Sequence, residues 1–176
     1  MRGMVLRTDR THRLVAASPG PRQSTMEIKH DAPVKARAEQ VIDAPLDQAW
    51  ALLTNIAEWS RWNPGVNRVK VHGPIESGTQ FEWRSGRIPI SSRIEVVEPE
   101  RKIAWTGRSL GMDAIHIWEF EARDDGLFAR TEESLDGTLA RWFSGQLQGK
   151  LQTALSESLR LLASECKRRS REHAVR

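Results

Sequence analysis

The residues best suited to chemistry are His116, the neighbouring pair Glu132 and Glu133, and Arg108. Histidine titrates near neutrality and can give or take a proton. His116 sits in MDAIHIWEFEA (112–122), where Met112, Ala114, His116, Trp118 and Phe120 alternate onto one apolar face. There it is either a catalytic acid–base group or hydrogen-bonding partner, or a core histidine with one nitrogen bonded to backbone. Consecutive glutamates on a strand point to opposite faces. Ala129, Thr131, Glu133 and Leu135 form the more apolar set, which favours Glu133 as the inward one. A buried carboxylate needs a partner, and Arg84, Arg93 and Arg108 stand on other strands as candidates; a solvated strand face is the alternative. Arg108 ends IAWTGRS beside a Leu110-Gly111 turn, where it either holds a ligand oxygen or lies in solvent.

Other chemistries lack their signatures. His72, His116 and Cys166 have no metal-ligand spacing and fall on separate elements. Neither GxGxxG nor GxxxxGK[ST] occurs. Cys166 is flanked by Lys167, Arg168 and Arg169, which could lower its pKa, although a passive helical cysteine is the simpler reading. No metal and no cofactor is expected.

These residues need elements to carry them. VKARAEQVI (34–42) alternates with period two and reads as a strand. Asp43 and Pro45 then open a helix through Leu46, Ala49, Trp50 and Leu53. A second short helix over 55–61 carries Ile56 and Trp59 on one face, and Asn63 before Pro64 must end it. From 66 to 136 come six strands separated by turns, with Asp125-Gly126 marking a hairpin. Leu139, Phe143, Leu147, Leu151, Leu155, Leu159 and Leu162 predict one amphipathic helix from 138 to 168. Gly145 and Gly149 interrupt its first half, a placement used for close approach or bending.

A chain of 176 residues with 39% hydrophobic residues supports one domain with tails. The net charge of +4 belongs to the ends. Residues 1–33 hold six Lys/Arg against three acids and residues 167–176 five against one, so of 27 basic and 23 acidic residues the span 34–166 keeps 16 and 19. That distribution excludes a basic nucleic-acid face. Seven Trp, four Phe and no Tyr make the aromatic bulk mostly indole, with an N–H donor but no phenol. One cysteine precludes an internal disulfide, and no apolar run approaches the roughly 20 residues of a membrane helix. Residues 1–33 read as a disordered basic extension, with Met26 a candidate translation start, and 171–176 as a basic tail; a cytoplasmic location is the default.

VIDAPLDQAWALLTN (41–55), WSRWNPGV (59–66), VVEPERKIAWTGRS (96–109), HIWEFEARDDG (116–126) and SLRLLASECKR (158–168) together resemble the START-like, or SRPBCC, superfamily in its polyketide cyclase/dehydrase branch. The resemblance spans roughly 34–170 and implies an α+β helix-grip fold: a seven-stranded curved antiparallel sheet wrapped around a long C-terminal helix, with two short helices after the first strand. It departs at Leu127, where relatives often have Thr. It also implies a cavity between sheet and helix for a small, largely apolar organic molecule, with the position of Arg108 near its mouth. The expected lining is Trp62, Trp83, Trp105, His116, Trp118, Glu133, Phe143 and Leu147, with Trp50 and Trp59 in packing roles. If there is turnover, it is cyclase- or dehydratase-like on a polyketide or aromatic substrate, with His116 and Glu133 as acid–base groups. A carrier without chemistry and a stress-response or toxin–antitoxin-like interaction subunit are the other readings. Oligomeric state and ligand identity are not legible.

Overall fold

A computed structural model describes residues 26–174. Seven strands form one sheet in the order β1-β7-β6-β5-β4-β3-β2, every neighbour antiparallel. They are β1 (Val34–Ile42), β2 (Val66–Val71), β3 (Gln80–Ser85), β4 (Ile88–Glu98), β5 (Lys102–Ser109), β6 (Met112–Arg123) and β7 (Gly126–Gly137). Between β1 and β2 lie α1 (Leu46–Thr54), a 3-10 turn (Ile56–Glu58) and α2 (Trp59–Trp62). After β7 come α3 (Thr138–Trp142) and α4 (Ser144–Ala174). This is the expected α+β helix-grip arrangement.

Three local expectations change. Asp43 does not cap α1; Pro45 occupies that position and no side chain caps the helix. The C-terminal helix is not continuous from 138, because Phe143, at φ −113° and ψ 22°, breaks it into α3 and α4. Nor do Gly145 and Gly149 mark close approaches, since a Cβ at either would meet nothing within 4 Å. The helix also runs on through residues 171–174 of the expected tail, where Arg168 pairs with both Glu165 and Glu172. Residues 1–25 of the expected extension lie outside the described residues.

The hydrophobic face of α4 covers the inner face of the sheet. Leu151, Leu155, Leu159, Leu162 and Cys166 are buried against Ile42, Phe120, Leu127 and Ala129 from β1, β6 and β7. The helix also protects the edge strand. The Gln148 side chain donates to the Lys35 carbonyl (2.5 Å) and accepts from the Lys35 N–H (3.2 Å), while Gln152 donates to the Arg37 carbonyl (2.8 Å). An exposed β edge is a pairing hazard, and two glutamines one helical turn apart cover this one.

Residues 26–29 cover part of the other face. Met26 and Ile28 pack with Ile115 on buried Val96, Ala104 and Ile117. Lys102 Nζ donates to the Met26 carbonyl (2.9 Å), and the Lys29 N–H donates to Ser134 Oγ (3.0 Å).

Candidate functional site

Period-two geometry puts His116, Trp118 and Phe120 on the inner face of β6, and Trp105 directly opposite His116 on β5. On the other side the β6–β7 hairpin sets Glu133 opposite His116 and Thr131 opposite Trp118. The two titratable groups anticipated from the sequence therefore meet. His116 Nδ1 lies 3.3 Å from Glu133 Oε2, and His116 Nε2 lies 2.8 Å from Thr131 Oγ1. Indoles flank the imidazole, Trp105 at 4.6 Å between centroids and Trp118 at 6.0 Å. Thr131 is fully buried, while the His116 and Glu133 side chains keep 12% and 17% exposure, so solvent only just reaches the pair.

Burial sets the protonation of this pair. It disfavours imidazolium and carboxylate alike. The histidine is pushed down to about 3 and the glutamate up to about 8. At neutral pH the pair is thus a carboxylic acid beside a neutral imidazole. The Glu133 carboxyl lies beside Nδ1, and Nε2 shares a hydrogen bond with Thr131 Oγ1 whose direction follows the tautomer. A carboxyl group titrating near neutrality can serve as a general acid or, once ionised, as a base.

Glu132 points the opposite way and pairs with Arg37 and Arg130. Among the described residues, no arginine pairs with Glu133. Arg93 pairs with Glu95, and Arg108 with Asp113 at 2.9 Å on the outer face. The expectation that Arg108 faces the ligand is therefore corrected. Trp105 points inward, and Arg108, an odd number of residues along the same strand, must point outward. A mixed-charge groove of about 580 Å³ opens on that outer face, lined by Arg93, Thr106, Arg108, Asp113, Lys29 and Asp136 among others.

The remaining expected lining residues divide by position. Trp105 and Trp118 are buried in the inner wall. Trp83 is half-buried, its indole N–H donating to Ser92 Oγ at 3.1 Å. Leu147 is half-buried against the core, and Phe143 is 47% exposed at the α3–α4 break. Trp59 is an anchor, as its spacing predicts: its N–H donates to the Leu53 carbonyl (2.7 Å) and its ring meets Phe81, Trp83 and Trp105. Trp50 packs edge-on against Phe120. Trp62 is 9% exposed, yet its buried Nε1 has no hydrogen-bond partner among the described residues. An orphaned buried donor costs about 1–3 kcal/mol. Thr131 was not singled out from sequence; its one signal was its place two residues before Glu133 on the same face. Cys166 is fully buried, and burial raises its thiol to about 11, so it is no nucleophile. No three His, Cys, Asp or Glu side chains among the described residues cluster in a way that could hold a metal ion.

The sequence of residues 33–167 matches the family described as "Polyketide cyclase / dehydrase and lipid transport". The chain belongs to that family. Several solved structures share its fold at low identity. A hypothetical protein from Helicobacter pylori superposes with a TM-score of 0.72 at 14% identity, over 82% of this chain and 99% of that one. A protein from Thermus thermophilus gives 0.66 at 16%, over 77% and 99%. The di-domain ARO/CYC StfQ from the steffimycin biosynthetic pathway gives 0.66 at 15%, over 78% of this chain and 51% of its own. No curated protein matches the sequence. Among the described residues of this polyketide cyclase/dehydrase family member, no helix is long and apolar enough to cross a membrane.

Proposed function

We propose that the chain binds a small, largely apolar organic molecule that carries oxygen, between the inner face of the sheet and the N-terminal half of α4. The observation that carries this reading is the His116–Glu133 pair. A neutral acid–base pair is expensive to bury in an indole-walled face, and it gives a bound carbonyl or enol a proton donor and acceptor. The orphaned Trp62 N–H supports the same reading, because a ligand oxygen would satisfy it. Trp83, Trp105 and Trp118 supply broad apolar walls of the kind such sites use.

A second reading, cyclase- or dehydratase-like turnover, rests on the same pair. Glu133 would protonate a departing hydroxyl or an enolate, and His116 would hold that carboxyl in place. Family membership and the fold shared with an aromatase/cyclase fit this chemistry but do not by themselves assign it.

The test is organic extraction and native mass spectrometry of protein purified from its own host, followed by tryptophan-fluorescence titration with fatty acids and polycyclic aromatic ketones. A stoichiometric co-purified compound, or saturable binding weakened several-fold by Trp62→Phe with little change in Tm, supports the reading. An empty protein that binds no member of either class overturns it.

A further inference from the structure

Among the described residues, five large apolar side chains are exposed, and four of them gather at one end of the molecule. Ile88 (43%) begins β4, Leu110 (56%) sits in the β5–β6 turn, and Trp142 (76%) and Phe143 (47%) lie where α3 gives way to α4; Val41 alone stands elsewhere. These three sites adjoin. Ser109 Oγ donates to the Pro89 carbonyl (2.7 Å), which ties the β5–β6 turn to the start of β4. Met112 pairs with Gly137, just before α3. Gly137 has φ 110°, and a Cβ there would lie 2.5 Å from the Gly111 carbonyl oxygen, so only glycine lets α3 sit this close to the turn.

Leu110 adds an independent sign. Its φ is 49°, in the left-handed region that glycine or asparagine occupies at lower cost. A leucine there loses stability through its backbone and leaves its side chain in water. Strain kept at an exposed tip points to a use for that side chain.

Charge identifies the partner. Residues 84–93 hold Arg84, Arg87 and Arg93 and no acid, and residues 138–150 hold Arg141 and Lys150 and no acid. The nearby acids are already paired, Asp113 with Arg108 and Asp136 with Lys29 and Arg141. Apolar tips with an aromatic, set among arginines, match the headgroup zone of an anionic bilayer. A bilayer also accepts protruding tips from separate elements without a matching concave surface.

We propose that this end docks on an anionic lipid surface, with Ile88, Leu110, Trp142 and Phe143 entering the headgroup layer and Arg84 and Arg87 meeting lipid phosphates. Inner-face residues near this end, Met112, Ala114, Leu135 and Leu147, are all partly exposed. Docking would therefore turn the open end of the candidate site toward the bilayer. The docking surface stands on exposure and charge, whether or not the ligand reading holds.

Co-sedimentation of the full chain with vesicles tests it. Mixed phosphatidylglycerol–phosphatidylcholine vesicles should capture the protein, less so as salt rises, and pure phosphatidylcholine should capture far less. Trp142→Ala combined with Leu110→Ser, and separately Arg87→Glu, should each weaken capture by roughly tenfold without lowering Tm. No capture by the anionic vesicles overturns the proposal. So does capture that both variants leave unchanged, which would assign binding to the basic residues of 1–25. Equal capture by phosphatidylcholine overturns the charge complementarity. A concentration-dependent dimer dissolved by Trp142→Ala, without vesicle binding, would make this end a protein interface and overturns the proposal too.

Discussion

The two halves of α4 do different work. Beyond Leu151 the helix lies tight on the sheet: Leu155, Leu159, Leu162 and Cys166 are at most 2% exposed, as are Ile42, Leu127 and Ala129 beneath them. Before Leu151, Leu147 is only half-buried and Gly145 and Gly149 are exposed, and on the sheet Glu133, Leu135 and His116 all keep some exposure. One half is buried against the sheet, and beside the other a titratable pair keeps slight exposure. A domain that needs both a core and a site can separate them along one helix.

The largest expected effect tests the closed half. Leu159→Ala should destabilise by about 2–5 kcal/mol, as full burial of leucine requires, whereas Leu147→Ala should cost less than about 1 kcal/mol. Chemical denaturation measures both; equal losses would erase the distinction between the halves.

Next comes pH. The folded His116 pKa is about 3 against 6.5 unfolded, so the unfolded chain binds the extra proton and stability falls as pH drops from 6.5 towards 3. The folded Glu133 pKa is about 8 against 4.5, so the folded chain holds the extra proton and stability falls as pH rises from 4.5 to 8. The slopes cancel between 4.5 and 6.5, giving a plateau from this pair with a decline on each side. Glu133→Gln should remove the alkaline decline, on the order of 1–2 kcal/mol between pH 6.5 and 8, and retain the acid one. An unchanged alkaline limb in Tm measured against pH would show that Glu133 is ionised in the fold.

The smallest effect probes the open half. A Cβ at Gly149 meets open space, so Gly149→Ala should stabilise by about 0.5–1 kcal/mol. A loss instead would mean that α4 approaches its surroundings more closely there than the fold shows.

Much of this was legible in the chain. Alternation placed His116 and Glu133 on inward faces, and helical spacing assigned Trp59 to packing. Their pairing was harder to read, because register depends on which residues form the loop. Taking Asp125-Gly126 as the two-residue turn would set Leu135 opposite His116; the loop is instead Asp124-Asp125, with Arg123 paired to Gly126, which brings Glu133 there. For Arg108 the family resemblance pointed to the cavity mouth and the residue pattern left solvent open; its parity relative to Trp105 puts it on the other face.

Element order, family and the inward set of side chains can be read from the chain alone, since periodicity and turn chemistry are local properties. Tertiary structure alone decided that the partner of Glu133 is a histidine rather than an arginine, that the Trp62 N–H is orphaned, and that Ile88, Leu110, Trp142 and Phe143 share one end. Each depends on strand register or on the path of α3 and α4, which bring together residues far apart in the chain. No local pattern encodes such a meeting, because a one-residue slip in register would exchange one face for the other.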